Sequence, residues 1–151
     1  MISKSQEDYL KAMYVLKMKN GEIRVTDIAE YLNFSKPSVT KAINNMKEIG
    51  LVNNQTYGKI ELTEQGIDIA KKVLEAYDIS YVFLKEVLGL SEEKAKKEAE
   101  KLKLTMEDNT LNHLAKYVHK VLNLSTLDCD YDIANERCRT CIRREKYDNI
   151  I

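Results

Sequence analysis

Residues Arg24 to Gly50 read RVTDIAEYLNFSKPSVTKAINNMKEIG, two short amphipathic segments joined by a polar corner. In the first, Val25, Ile28, Ala29 and Leu32 fall at i, i+3, i+4 and i+7, so a helix here turns one apolar stripe toward a core. Asn33 and Phe34 make the corner. Ser35 stands where an N-cap is needed. Pro37, the only proline of the chain, sits in the first turn of a second helix, where its missing N–H breaks no hydrogen bond. Val39, Ile43 and Met46 then point inward, which leaves Lys36, Ser38, Thr40, Lys41, Asn44 and Asn45 on the surface. Such groups hydrogen-bond to phosphates and base edges, and the two segments together have the form of a helix-turn-helix DNA reader.

The flanks extend this unit. Gly50 stops the second helix, Leu51-Val52 reads as a short strand, Asn53 to Gly58 as a turn-rich connection, and Lys59-Ile60-Glu61-Leu62 as a return strand alternating out and in. A hairpin after a recognition helix is a wing, and its Lys59 side is placed to lie along a DNA backbone or a minor groove. Upstream, Ser5 to Met18 reads as a helix with a capping-box spacing at Ser5 and Asp8 and one face marked by Leu10, Met13, Tyr14 and Lys17. Residues 1–62 are therefore expected to form a winged-helix DNA-binding domain.

Downstream, Thr63 caps a long helical stretch in which Ala70, Val73, Leu74, Tyr77, Tyr81, Leu84 and Leu88 keep helical spacing. Val82, Phe83 and Val87 fall off that stripe, which predicts cover from a second subunit. Gly89 breaks the helix. Ser91 caps a highly charged helix to about Leu104, and Leu111, Leu114, Ala115, Val118, Val121 and Leu122 form another stripe. Residues 63–124 read as a helical dimerisation domain, and 125–151 as a cysteine-containing tail. The expected fold class is mainly α: a winged helix-turn-helix followed by an all-helical domain. A homodimer also fits a palindromic operator in double-stranded DNA, because two recognition helices one DNA turn apart reinforce a weak single contact.

Composition sets outer bounds. The 151 residues are 44% hydrophobic and 32% charged, with a formal net charge of zero, which argues against indiscriminate nucleic-acid binding through a broad basic field. Residues 33 to 62 are locally basic, with Lys36, Lys41, Lys47 and Lys59 against Glu48 and Glu61. No apolar run approaches the roughly 18 residues that span a bilayer, and MISKSQEDYL lacks the form of a signal peptide, so the expectation is a cytoplasmic protein without a membrane partner. There is no glycine-rich phosphate loop, Ser-His-Asp set or H-E-x-x-H, and no enzyme chemistry is predicted.

EDYLKAMY at Glu7 to Tyr14, the VTDIAEYLNFSKPSVTKAINNMKEIGLV segment, and ELTEQG at Glu61 to Gly66 resemble the iron- and manganese-dependent repressors related to the diphtheria toxin repressor and the manganese transport regulator. The resemblance covers roughly residues 5 to 122, closest to the shorter two-domain type. It implies that Ser35, Pro37, Thr40 and Lys41 face the DNA groove, with Pro37 offering apolar contact to thymine methyls. It also implies a metal site at positions where this chain departs from the pattern. Asp8 and Glu100 occupy two ligand positions, whereas the others hold Lys11, Tyr77, Lys103 and Leu104, which offer cationic, phenolic or apolar groups where a divalent ion needs acceptors.

Other ligands appear in the tail. Cys129, Cys138 and Cys141 form C-x8-C-x2-C, and the closely spaced pair can chelate one tetrahedral ion with the third joining from a short loop. His119 or Asp128 are candidates for a fourth ligand, with His113, Asp130 or a partner chain as further sources. Three readings stay open: a thiolate site for zinc or iron, an iron–sulfur cluster, or reduced thiols made oxidation-prone by neighbouring arginines. The leading expectation is a homodimeric, metal- or redox-responsive regulator whose response sits at this cysteine cluster. The alternatives are a constitutive DNA binder with a structural metal, and a dimeric interaction module that does not touch DNA.

Overall fold

The computed structural model describes residues 2–54 and 58–123. They form two compact units, one of residues 1–71 and one that begins at residue 72.

The first unit is built around α1 (Lys4–Asn20), in which Tyr9, Leu10 and every residue from Ala12 to Leu16 are buried. Its N-terminus corrects the predicted cap. Ser3 Oγ accepts the Gln6 amide at 3.2 Å and the Ser3 amide donates to Gln6 Oε1 at 2.8 Å, so the reciprocal box is Ser3–Gln6, not Ser5–Asp8. Both pairs have the right spacing, but only Ser3 has the extended backbone of a cap. Lys17 is exposed and takes no part in the buried face.

A two-residue strand, β1 (Ile23–Arg24), leads into α2 (Val25–Leu32), which ends on Asn33 in the left-handed conformation, φ 54°. Asparagine tolerates that conformation because its short side chain bonds locally. Phe34 then lays its ring 5.8 Å from that of Tyr9. Helix α3 (Lys36–Glu48) starts on Ser35, buries Val39, Ile43 and Met46 as expected, and is followed by β2 (Val52–Asn54) and β3 (Lys59–Leu62). The wing is thus a three-stranded antiparallel sheet in the order β1-β3-β2, with Ile23 opposite Ile60 and Val52 opposite Leu62. The sequence pattern missed β1, since two residues are too short for alternation to show. Leu10, Met13, Ile23, Ile28, Val39, Met46 and Leu51 are fully buried.

The unit is closed by Thr63. Its Oγ1 donates to the Gly50 carbonyl at 2.7 Å and accepts the Gly66 amide at 3.1 Å, while its own amide donates to the Leu51 carbonyl at 3.1 Å. One residue therefore ties the end of α3, the start of the wing and the first turn of α4 (Glu64–Val82). Gly66 permits the approach, because a Cβ there would overlap the Leu51 carbonyl oxygen.

In the second unit α4 passes into a π-helical turn, Phe83–Val87, closed by the Leu88 amide on the Phe83 carbonyl at 3.0 Å. Ser91 caps α5 (Glu92–Thr105) through the Lys94 amide, and α6 (Asp108–Leu122) ends on left-handed Asn123. Val82 is fully buried, and Phe83 and Val87 pack against a core that includes Ala95, Ala99, Leu111, Ala115 and Val118. The off-stripe residues are thus covered by the chain's own α5 and α6, and a second subunit is not needed to explain them.

His119, one of the candidate fourth ligands, is 2% exposed. Burial holds its imidazole below the ordinary value of 6.5 by disfavouring the charged form. In the interval between the lowered value and 6.5 the unfolded chain binds a proton that the folded chain does not. Stability is therefore complete above that interval and falls as pH drops through it. The expected result is a melting temperature that declines as pH falls below about 6.5, with a shallower decline in His119→Gln; equal slopes would exclude the imidazole as a source. Gly66→Ala is expected to destabilise by about 2 kcal/mol in urea unfolding, because backbone and not a flexible side chain must yield.

Candidate nucleic-acid interface and metal centre

Helix α3 presents its polar face as the sequence predicts. Ser35, Lys36, Pro37, Ser38, Thr40, Lys41, Asn44 and Asn45 are all exposed, and Lys36, Pro37, Thr40, Lys41, Asn44 and Asn45 line one shallow open groove. Ser35 has local work: its Oγ accepts the Ser38 amide at 3.3 Å and lies 2.8 Å from Ser38 Oγ. Those two hydroxyls form a small polar cluster at the helix N-terminus, where unpaired backbone amides and the helix dipole favour an anion such as phosphate. Pro37 in the first turn removes a donor that the helix does not need.

The wing carries a charge arrangement that the sequence pattern did not reveal. Arg24 on β1 lies directly opposite Lys59 on β3. Two like charges in register repel, and Glu22 offsets this by reaching both: its Oε1 is 2.7 Å from Arg24 Nη2 and its Oε2 is 2.9 Å from Lys59 Nζ. Hydrogen bonds from Lys59 and then from Arg24 hold the Glu22 carboxyl below the ordinary carboxylate range. All three side chains remain in contact with solvent, so the stabilisation is small and the arrangement matters for the electrostatics of the surface. Arg24 and Glu22 join Lys59 as residues of the candidate interface. The available signal was the E-x-R spacing, legible only once β1 is known to pair with β3.

The candidate metal positions divide between the units. Asp8 is half-buried on α1 of the first unit and, since Ser3 and Gln6 make the cap, has no capping role. In the second unit Glu100 is half-buried on α5 and its Oε2 lies 2.7 Å from Lys103 Nζ. Tyr77 is buried and Leu104 is 40% exposed. Among the described residues no group of three or more His, Cys, Asp or Glu is gathered so as to hold a metal ion. Cys129, Cys138, Cys141 and Asp128 lie outside the described residues. His113 is exposed, whereas His119 is buried.

Comparison with known proteins places both units. Residues 1–60 match the family description "Iron dependent repressor, N-terminal DNA binding domain", and residues 63–123 match "Iron dependent repressor, metal binding and dimerisation domain". The chain is 38% identical over 120 residues to an uncharacterised HTH-type transcriptional regulator of Methanocaldococcus jannaschii, a match covering 79% of this chain and 96% of the relative. It is 29% identical over 118 residues to the regulator MntR of Bacillus subtilis, covering 78% and 82%. Among solved structures, the manganese regulator SloR superposes with a TM-score of 0.65 at 28% identity, over 82% of this chain and 55% of that one. T. acidophilum IdeR, at 24% identity, shares the fold with a TM-score of 0.67 over 82% of this chain and 56% of its own. The chain spans little more than half the length of these two solved structures. No helix among the described residues is long and apolar enough to cross a membrane.

If Arg24 and Lys59 face DNA, Glu22 subtracts from their field. Glu22→Gln is expected to raise affinity for non-specific duplex several-fold and to steepen the dependence of log K on log salt by roughly one unit. The check is a fluorescence-anisotropy titration at several salt concentrations, and an unchanged slope would remove this side of the wing from the interface.

Proposed function

Since the chain belongs to the iron-dependent repressor family, a family of DNA-binding transcriptional regulators with a metal-binding and dimerisation domain, we propose that it is a homodimeric, metal-responsive regulator that reads a palindromic operator through α3 and the wing. The observation that carries this reading is the exposed polar face of α3 beside a basic wing edge. In the complex, Lys41, Thr40 and Asn44 reach base edges, Pro37 contacts thymine methyls, and Ser35, Ser38 and Lys36 hold phosphate at the helix N-terminus. Lys59 follows the backbone from the wing. Two such helices set one helical turn apart by the dimer bind half-sites of the same spacing. A protein with this task works where the DNA is, in the cytoplasm.

Family membership directs the response toward a transition metal ion rather than toward redox chemistry, and its match to a DNA-binding domain sets aside the module that never touches DNA. The finer assignment is ours. We place the responsive ion, zinc or iron, on Cys129, Cys138 and Cys141, with Asp128 favoured over the buried His119 as fourth ligand. Three features support this. The thiolates have chelate spacing, soft sulfur selects those metals, and the described residues gather no rival cluster. An iron–sulfur cluster would need the same cysteines and is the lesser reading. For ion binding to regulate, the tail must take different positions with and without metal, because an effector with equal affinity for both states shifts neither.

The test has two stages. Selection from a random duplex library with the purified dimer is expected to yield a palindrome, and Thr40→Ala/Lys41→Ala to lose roughly 10-fold or more in affinity for it. Enrichment of no sequence, or an unaffected double variant, would overturn the DNA reading. Operator titration of Cys138→Ser with and without zinc or iron(II) then addresses the tail: a metal response equal to that of the unsubstituted protein would move the effector site elsewhere.

A further inference from the structure

A domain of a metal-binding family is expected to contain a cation among its carboxylates. In the second unit that role is filled by a side chain. Lys103, on α5, is buried, its side chain 2% exposed, with Nζ 2.7 Å from Glu100 Oε2. The same ammonium lies 5.9 Å from the centre of the Tyr77 ring on α4, near enough for a cation–π attraction. Tyr77 is stacked on Tyr81 at 6.1 Å with the rings 9° from parallel, and Lys85 stands 5.7 Å from the Tyr81 ring centre. The result is a ladder of ammonium, ring, ring and ammonium joining α4 to α5. On α5 the buried line is Ala95, Ala99, Lys103, one residue per turn, so two small side chains make room for the lysine stem. Lys103 is the only lysine or arginine buried among the described residues, in a unit that also buries the carboxylates Glu75 and Asp78.

These groups do not suit a divalent ion. The nearest carboxylate is engaged by an ammonium, and a metal ion seated at Glu100 would stand within contact range of a fixed positive charge. The Glu100 side chain is 40% exposed, but the Lys103 side chain is only 2% exposed, so the ammonium is held in place and a second cation at that distance is repelled by it.

We propose that the Lys103 ammonium is the resident cation of this domain. It stands at a position where metal-binding relatives are expected to place a ligand, so that the α4–α5 arrangement is held without added metal and Glu100 is not a metal ligand. The inference stands apart from the tail reading, and the experiment separates them.

The experiment uses the full chain with Cys129, Cys138 and Cys141 each replaced by Ser, stripped by a chelator and unfolded by heat with and without about 1 mM manganese(II). The expected outcome is a dimer in sedimentation before and after stripping, and a melting temperature that manganese moves by less than about 1 °C. A rise of several degrees that disappears in Glu100→Gln would overturn the proposal, because Glu100 would then be holding the metal. In the same background Lys103→Met, one atom shorter and uncharged, is expected to lower the melting temperature by about 2 °C or more by removing both the Glu100 pair and the Tyr77 ring contact; an unchanged value would also overturn it. Should that variant not fold, Glu100→Gln alone keeps the question open to decision. It is expected to lower the melting temperature by about 2 °C or more by leaving the ammonium without its carboxylate, and no loss would overturn the proposal.

Discussion

Three hydrogen bonds to Thr63 set the geometry of the DNA-binding unit. The helices of a winged fold pack through apolar faces that allow some sliding, but hydrogen bonds to backbone carbonyls are directional. By bonding Gly50 and Leu51 on one side and Gly66 on the other, Thr63 fixes the exit of α3, the entry of the wing and the first turn of α4 relative to one another. The contact also satisfies groups that would otherwise be orphaned at two helix ends. It demands a residue without a side chain at position 66, because the helix backbone comes up against the Leu51 carbonyl. These directional contacts fix the corner from which the polar face of α3 is presented.

What the sequence reveals and conceals follows from how local each feature is. Ser35, Pro37 and the Val39–Ile43–Met46 stripe act within one helix, and reading them needs no knowledge of the rest of the chain. Strand β1 exists because Ile23 and Arg24 meet β3, more than thirty residues away, and no window around Ile23 contains that information. The cap of α1 was ambiguous for a different reason: Ser3–Gln6 and Ser5–Asp8 carry the same spacing, and backbone geometry chooses. His119 and Lys103 stand out in the sequence for their ligand chemistry, one as a possible metal ligand and the other as a cation at a family ligand position, and their polar types do not foretell their burial. Position argued otherwise, since Lys103 continues the line of Ala95 and Ala99, and His119 neighbours the stripe residue Val118. The periodicity of small residues was a better guide to burial than the chemistry of the side chain.

The zero net charge acquires meaning at the wing. A regulator that must find one site among many gains from a basic surface during the encounter and loses if that surface grips every duplex equally. Glu22 sits between the two cations of the wing edge and reduces their pull on any phosphate, so under the proposed reading more of the binding free energy would come from α3. Balanced charge over the whole chain and local balance on the wing work in the same direction, toward a larger ratio of specific to non-specific affinity.

A covalently attached ammonium and a bound metal ion can stabilise the same carboxylates, but they differ in what they can report. Metal binding contributes stability that grows with the logarithm of free metal concentration, and this dependence is what lets a site act as a sensor. The contribution of Lys103 has no concentration in it. It is present whenever the chain is folded, and therefore cannot distinguish metal-rich from metal-poor conditions. A family member that places a lysine beside Glu100 has made the α4–α5 contact permanent at that point. If it still responds to metal, the response must come from ligands that are free to be empty. Thiolates fit that requirement, because without an ion they can take up protons and remain uncharged, whereas a carboxylate beside Lys103 is never without its cation.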